Sequence, residues 1–175
     1  MATANFDDCL AFVLEQEGGY VDDPLDPGGA TNLGITLHVL SEWRHTAVTK
    51  TDVQNLRNEE AGAIYRARYW NVVRGDDLPA GVDLMVFDAA VNLGTGRSAR
   101  ILQAAVGASQ DGAIGPKTLE AVETCASTEL ISKLADARVV FYQSLPTFSH
   151  FGKGWAARVN RARQRALEIV RIARA

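Results

Sequence analysis

The sequence predicts a mainly α-helical fold with one small β-hairpin or ordered loop near residues 20–36. Apolar residues recur at helical spacing through most of the chain after residue 37. Between residues 20 and 36, two prolines and three glycines interrupt that spacing. The 175 residues are 47% hydrophobic and 22% charged, the composition of an ordinary globular domain, which excludes disordered and coiled-coil classes.

The first helix is predicted over residues 6–17, where an apolar stripe runs as far as Val13. The Gly18-Gly19 pair ends this helix, because glycine adopts the left-handed cap conformation without steric cost. Continuing the stripe by four residues from Val13 reaches Glu17, in the last turn. We therefore expect Glu17 to lie on the buried face.

Local signals mark the later helices. Thr51-Asp52-Val53-Gln54 is typical of a capping box, with Thr51 as the N-cap. Further helices are predicted over residues 59–70, 80–93, 97–106, 127–144 and 154–174, with another that begins at Pro116. The segment 80–93 is unusually apolar, so we expect it to be the central helix. In the last helix, Arg158, Arg161 and Arg165 are expected to lie largely off the apolar face.

Charge is distributed unevenly along the chain. The net charge is −3, which argues against a general nucleic-acid binder. Residues 1–43 carry eight acids and no lysine or arginine, whereas residues 151–175 carry seven bases and one acid. Two interpretations stay open: the basic end attracts an anionic polymer, or the two ends are solvated faces that attract each other.

Several functional classes lack their residues. The three histidines form neither an HExxH motif nor a Cys/His cluster, so we predict no metal and no cofactor. Cys9 lies on an apolar stripe and is expected to be a core residue. No run approaches the roughly 18 apolar residues of a membrane span, so no membrane insertion is expected. The first residues lack a signal-peptide pattern, which predicts synthesis in the cytoplasm.

The chemistry is concentrated between Glu17 and Thr36. A carboxylic acid at the end of an apolar stripe loses hydration, which favours its protonated form and suits a general acid. Asp26 follows nine positions later in a polar loop, where it is expected to stay ionised. Glycosidic cleavage uses such a pair of carboxyl groups. Spacing alone leaves open that Glu17 is an ordinary helix-end residue.

The longer pattern resembles a known family. The chain contains Glu17-Gly18-Gly19-Tyr20 followed by Asp23-Pro24-x-Asp26-Pro27-Gly28-Gly29-Ala30-Thr31-Asn32-x-Gly34-Ile35-Thr36. This string closely resembles the signature of glycoside hydrolase family 108, lysozyme-like N-acetylmuramidases of phages and bacteria. Further matches are Tyr69-Trp70, Phe87-Asp88-x-x-Val91-Asn92-x-Gly94 and Asp111-Gly112-x-Ile114-Gly115-Pro116-x-Thr118-Leu119. The last match resembles a peptidoglycan-binding segment.

The resemblance implies an endolysin-like peptidoglycan hydrolase with a lysozyme-like helical fold. Such an enzyme cuts the β-1,4 bond between N-acetylmuramic acid and N-acetylglucosamine by general acid catalysis. A catalytic region over 1–94 and a helical C-terminal region over 95–175, which resembles a peptidoglycan-binding domain, are expected to pack into one compact unit. Two alternatives stay open, a non-catalytic cell-wall-binding module and a lytic transglycosylase.

The resemblance also sets expectations about partners and location. The partner is the glycan strand of peptidoglycan, and the working form is expected to be a monomer. Because no signal peptide is visible, a holin of a bacteriophage or a secretion system would deliver the chain from the cytoplasm to the cell wall in the periplasm.

By the same resemblance, Glu17 is the catalytic acid. Asp26 is the expected second carboxylate, with Asp22 and Asp23 as rivals. Thr31 is the expected water-orienting residue, but it follows Asp26 by five positions, whereas phage-type lysozymes have six. Asn32 and Thr36 therefore remain alternatives to Thr31.

Sugar-binding candidates present flat apolar faces or amide groups. They are Tyr20, Asn32, Tyr69, Trp70 and Asn92, and Trp43 and Trp155 are further aromatic candidates without motif support. For each aromatic residue, a place in the core is the competing interpretation. Asn92 near the end of the central helix is expected either to donate to an N-acetyl group or to cap that helix.

Overall fold

A computed structural model describes residues 2–22 and 29–173, with side chains from residue 5 onward. Its helices are α1 (Ala2–Glu17), α2 (Leu37–Arg44), α3 (Lys50–Gln54), α4 (Asn58–Tyr65), α5 (Val82–Leu93), α6 (Thr95–Ala105), α7 (Pro116–Glu123), α8 (Ser127–Gln143) and α9 (Phe148–Ala173). Two short antiparallel strands are β1 (Thr31–Asn32) and β2 (Ile35–Thr36). The prediction of a mainly α fold with a small hairpin is confirmed.

The chain forms two compact units. The hairpin unit comprises Leu10–Arg68, and the helical unit comprises the residues up to Cys9 together with those from Tyr69 onward. The expected boundary between residues 94 and 95 falls inside the helical unit, between α5 and α6, and stays a prediction. Within the described residues, no helix combines the length and apolarity that a bilayer span requires.

In the hairpin unit, side-chain caps fix where two helices begin. The Thr36 hydroxyl accepts a 3.2 Å bond from the Val39 amide and caps α2. The capping box before α3 is formed by Thr49, not by Thr51 as the sequence predicted. The Asp52 carboxylate reaches back to the Thr49 amide at 2.7 Å, while the Thr49 hydroxyl accepts from the Asp52 amide. The acid three residues after Thr49 decides the start of this helix.

In the helical unit, α5 is the central helix, as predicted. Every residue from Val82 to Ala90 is buried, so the helix is covered on all sides. The rings of Phe6 and Phe87 pack edge-on against Trp70, with centroids 5.2 and 5.3 Å away. A π-helical turn over Arg66–Trp70 follows α4, where the sequence predicted a single α-helix to residue 70.

A buried charge cluster joins three helices of the helical unit. Asp88 of α5 is completely buried and accepts bonds from Arg138 of α8 at 2.5 Å and from Arg158 of α9 at 2.8 Å. The expectation that Arg158 lies largely off the packed face is wrong. Its guanidinium turns inward because the buried carboxylate of Asp88 needs compensating charge.

The last helix begins earlier than predicted. α9 starts at Phe148 rather than at residue 154, although Gly152 lies in the added segment. Gly152 packs so closely on the Phe148 ring that a Cβ there would lie 2.5 Å from a ring carbon. The absent side chain therefore supports the packing of this turn instead of breaking the helix.

The two cysteines lie in different surroundings. Cys9 is fully buried in α1, and burial raises the pKa of its thiol far above the ordinary range. Cys125 is half-buried just after α7, where its Sγ lies 3.5 Å from the Ala121 carbonyl oxygen. Neither forms a disulfide, and the expectation that Cys9 is a core residue is confirmed.

Candidate active site

Glu17 is the last residue of α1 and is half-buried. The apolar stripe of α1 brings its side chain to the edge of the core but not fully inside it, so burial is less complete than the stripe predicted. Gly18 follows at φ +78°, a left-handed conformation that ends the helix as expected. Glu17 therefore sits where a helix stops and the chain turns away.

The turn of the β-hairpin lies directly against Glu17. A Cβ built on Gly34 would lie 3.1 Å from Oε2 of Glu17 and 2.3 Å from the hydroxyl oxygen of Tyr65. Any side chain at position 34 would therefore push these two groups away. The end of α1, the hairpin turn and the end of α4 converge at this point of the hairpin unit.

Backbone conformation explains how the turn approaches so closely. Leu33 and Gly34 link β1 to β2 with φ values of +51° and +74°, as in a type I′ hairpin turn. Glycine adopts this conformation freely, but a leucine there carries strain of about 1 kcal/mol. Strain of this kind persists only where neighbouring contacts impose it.

Tyr65 supplies such a contact. Its side chain is buried, and its hydroxyl donates a 2.9 Å hydrogen bond to the Leu33 carbonyl. This bond holds the strained turn beside Glu17. Sequence reasoning missed Tyr65, because an aromatic residue near the end of an ordinary helix carries no signal of a contact that only the fold creates.

Of the three candidates for the second carboxylate, the structure describes one. Asp26 and its rival Asp23 lie outside the described residues, so their assignment stays a prediction. The other rival, Asp22, is described, and its carboxylate forms a 2.9 Å ion pair with Lys50. A lysine ammonium at this distance occupies Asp22, which favours the other two aspartates for a role in catalysis.

The three candidates for orienting water differ in how their polar groups are used. Asn32 is buried and donates through Nδ2 to the carbonyls of Val53 and Gln54 at 3.0 and 3.1 Å. It thus anchors β1 to the end of α3, which corrects the expectation that its amide donates to substrate. The Thr36 hydroxyl already caps α2. Thr31 is half-buried, and its hydroxyl donates a long 3.5 Å bond to the Gly29 carbonyl.

Tyr20 is an aromatic candidate in the hairpin unit. Its side chain is 36% exposed, so part of the ring surface is available to a ligand. The next residue, Val21, exchanges two 2.8 Å backbone hydrogen bonds with Thr31 and holds this stretch against β1. A sugar-stacking role for Tyr20 stays a prediction.

In the helical unit, the candidates separate into core and surface residues. Trp70 is fully buried and donates from Nε1 to Asp76 at 2.8 Å. Its faces are packed, so it is a core residue and not the sugar platform that the sequence predicted. Tyr69 is half-buried. Asn92 is exposed near the end of α5, and its side-chain oxygen accepts a hydrogen bond from the Tyr142 hydroxyl.

In the part of the chain that the structure describes, no three His, Cys, Asp or Glu side chains lie in a group that could hold a metal ion. The candidate site residues carry carboxyl, hydroxyl and amide groups, and a carboxyl group can serve as a general acid.

Comparisons with known proteins agree with this chemistry. The sequence model of a predicted peptidoglycan domain matches residues 97–160, and that of glycosyl hydrolase 108 matches residues 10–94. The fold and these matches define a glycoside hydrolase that acts on peptidoglycan.

The chain belongs to the glycosyl hydrolase 108 family. A solved structure, that of Brucella abortus SagA, is similar over nearly the whole length, with 50% sequence identity and a TM-score of 0.84. The match covers 95% of this chain and 96% of that one. Comparison with curated proteins gives no match.

Proposed function

We propose that the protein is an N-acetylmuramidase that cuts the β-1,4 bond between N-acetylmuramic acid and N-acetylglucosamine. The observation that carries this proposal is the position of Glu17. Its carboxylate ends a helix, is half-buried, and lies against the glycine turn that Tyr65 holds in place. Membership of the family indicates the class of reaction, hydrolysis of a glycosidic bond. The position of Glu17 at the end of a helix and against the turn supports its carboxyl group as the acid that we propose.

In the proposed reaction, Glu17 gives its proton to the oxygen of the leaving sugar. The bond from that oxygen to the anomeric carbon breaks, and positive charge develops on the remaining ring. After bond cleavage the carboxylate recovers a proton from the water that adds to the ring.

Asp26 is the proposed second carboxylate. It activates the attacking water or stabilises the cationic ring. Two observations support the choice of Asp26 and of Thr31 as its partner: Asp22 is paired with Lys50, and the polar groups of Asn32 and Thr36 are committed to α3 and α2. Thr31 then orients the water through its hydroxyl.

The first test is Glu17→Gln with purified peptidoglycan as the substrate. Glutamine keeps the size of the side chain but has no proton to give, so the rate of lysis is expected to fall at least about 100-fold. Glu15→Gln, two residues earlier and exposed on the same helix, is the matched control and should lyse at the wild-type rate. Lysis by Glu17→Gln near the wild-type rate would refute the assignment.

The second test identifies the bond by mass analysis of the digested wall. Muramidase action leaves N-acetylmuramic acid at the new reducing ends. Reducing-end N-acetylglucosamine would place the cut at the other glycosidic bond, and 1,6-anhydro ends would indicate a lytic transglycosylase. Asp26→Asn is expected to lose most activity, whereas an undiminished rate would transfer the second role to Asp23.

The place of action is part of the same proposal. We propose that the chain reaches the cell wall after delivery by a separate system and acts there as a monomer. Sedimentation of the purified chain checks the monomer, and detection of the chain in periplasmic fractions checks the location. A stable dimer, or a chain confined to the cytoplasm, would contradict these parts without touching the chemistry.

A further inference from the structure

A group of aromatic side chains in the helical unit reaches the surface where α8 ends and α9 begins. We call it the aromatic surface, and it consists of Phe141, Tyr142, Phe151 and Trp155. Tyr142 is buried and stacks on Trp155, with ring centroids 4.9 Å apart and planes within 24°. Phe151 continues the group, with its centroid 5.7 Å from that of Trp155.

The outer members of this group are not fully covered. Phe151 is 50% exposed, and Trp155 is half-buried. Core packing alone accounts for Tyr142, whose ring is enclosed. It does not account for a phenylalanine that leaves half of its surface in water, since burial of apolar area is favourable. Contiguous exposed apolar area of this kind marks binding sites on soluble proteins.

Two polar side chains border the aromatic rings. Asn92 is tied to the group because its side-chain oxygen accepts a bond from the Tyr142 hydroxyl. That bond orients the amide, whose NH2 group is a hydrogen-bond donor. Arg97 is exposed, and its guanidinium carbon lies 4.6 Å from the centre of the Phe141 ring. The rings are thus bordered by a fixed amide donor and by a cation.

This combination fits the chemistry of an acidic amino sugar. The C–H face of a pyranose ring packs on an aromatic ring, and an N-acetyl carbonyl accepts from an amide NH2 group. Where the stem peptide has been removed, the lactyl group of N-acetylmuramic acid ends in a free carboxylate, an anion that a guanidinium binds. We propose that the aromatic surface, with Asn92 and Arg97, binds the glycan strand of peptidoglycan. The inference rests on the proposed function only for the identity of the ligand.

Binding is measured with the full chain carrying Glu17→Gln, so that the ligand is not consumed. Two probes are titrated, a chitin tetrasaccharide and peptide-free glycan strands prepared from peptidoglycan. Phe151→Ala is expected to weaken binding of both probes at least about fivefold, because a stacking face is lost. Phe151→Trp restores a flat face and should bind within about twofold of the parent.

Arg97→Gln separates carboxylate recognition from stacking. It is expected to weaken binding of the peptidoglycan strands about threefold and to leave the chitin probe unchanged, because chitin has no carboxylate. Ile172→Ala is the matched control, since Ile172 is 60% exposed on α9, the helix that carries Phe151, but lies outside the aromatic surface. It should bind both probes like the parent.

The outcomes are decisive in both directions. Unchanged binding by Phe151→Ala, or an equal loss in Ile172→Ala, overturns the proposal. Circular dichroism and melting temperature confirm that the exposed substitutions leave the fold intact. Failure of the proposed function would show differently: wild-type chain would produce no new muramic reducing ends, while the binding differences between these variants would persist.

Discussion

Asp88 in the helical unit and Glu17 in the hairpin unit are carboxylates that differ in their burial and in the groups around them. Asp88 has no exposed surface and faces two guanidinium groups, from α8 and α9. Glu17 is half-buried beside the backbone of a turn and the hydroxyl of Tyr65. A buried carboxylate with cationic partners holds a fold together, because separation would leave charges stranded. A half-covered carboxylate at the end of a helix can exchange a proton with a ligand.

The largest effect on stability is expected from Asp88→Asn. Neutralising this side chain leaves Arg138 and Arg158 without their counter-charge inside the protein. The free energy of unfolding should fall by about 3–5 kcal/mol in urea titrations. Asp77→Asn, which interrupts an exposed pair with Arg74, is the control and should change it by less than about 1 kcal/mol. Equal losses in both variants would show that the buried and the exposed carboxylate contribute equally to stability.

Asp83, at the start of α5, is a second buried carboxylate, and within the described residues it accepts hydrogen bonds from Asn5, Gly81 and Leu84 instead of from arginine. Burial raises its pKa from 3.8 to about 6, although hydrogen bonds from Leu84, Asn5 and Gly81 oppose the rise. The folded state therefore holds this proton more tightly than the unfolded state. Its stabilising contribution is complete below about pH 4 and is lost as the pH rises through about 6.

The loss amounts to about 3 kcal/mol, since each pKa unit corresponds to about 1.4 kcal/mol. Unfolding free energies of wild type and Asp83→Asn, measured from pH 4 to pH 7, check this. The wild type should lose stability relative to the variant across that range. Parallel curves would show that Asp83 does not titrate between them.

Gly34→Ala tests the close approach at Glu17. The new Cβ must displace the Tyr65 hydroxyl, from which it would lie 2.3 Å, and press on the carboxylate of Glu17. If Glu17 is the acid that we propose, its displacement by about 1 Å costs about 100-fold in rate, so kcat should fall by that order. Gly29→Ala is the matched control, because Gly29 also has a positive φ but a Cβ there meets nothing within 4 Å. If both variants lose the same activity, backbone strain and not the contact with Glu17 is responsible.

The smallest effect is expected from Asn32→Ala. The change removes two bonds to the end of α3 and should lower the free energy of unfolding by about 1–2 kcal/mol. Because the amide is occupied within the fold, KM for peptidoglycan fragments should stay within about twofold of wild type. A large rise in KM with unchanged stability would show that Asn32 binds the substrate.

The sequence predicts the helices well because their signals are local. Apolar spacing identifies α1 and α5, and the glycine pair after Glu17 marks where α1 ends. Long-range partners are not local, and this is where the predictions are wrong. Nothing in α9 indicates that Arg158 turns towards a carboxylate 70 residues earlier in the chain.

The site divides in the same way. The motif around Glu17 predicts the acid, but the buried contact from Tyr65 depends on how α4 meets the hairpin. Trp70 follows a tyrosine in a motif that resembles the family, and only packing shows that its ring belongs to the core. The same aromatic residue type occurs in cores and on surfaces, so its role depends on which side chains pack around it in the fold.

The contrast between the two thiols has a practical consequence. A fully buried thiol whose proton is held tightly reacts slowly with maleimides, whereas the half-buried thiol of Cys125 meets them from solution. A fluorescent dye can therefore be attached at a single position of the native chain without engineering. Such a conjugate would let the movement of individual molecules on a cell wall be followed by microscopy.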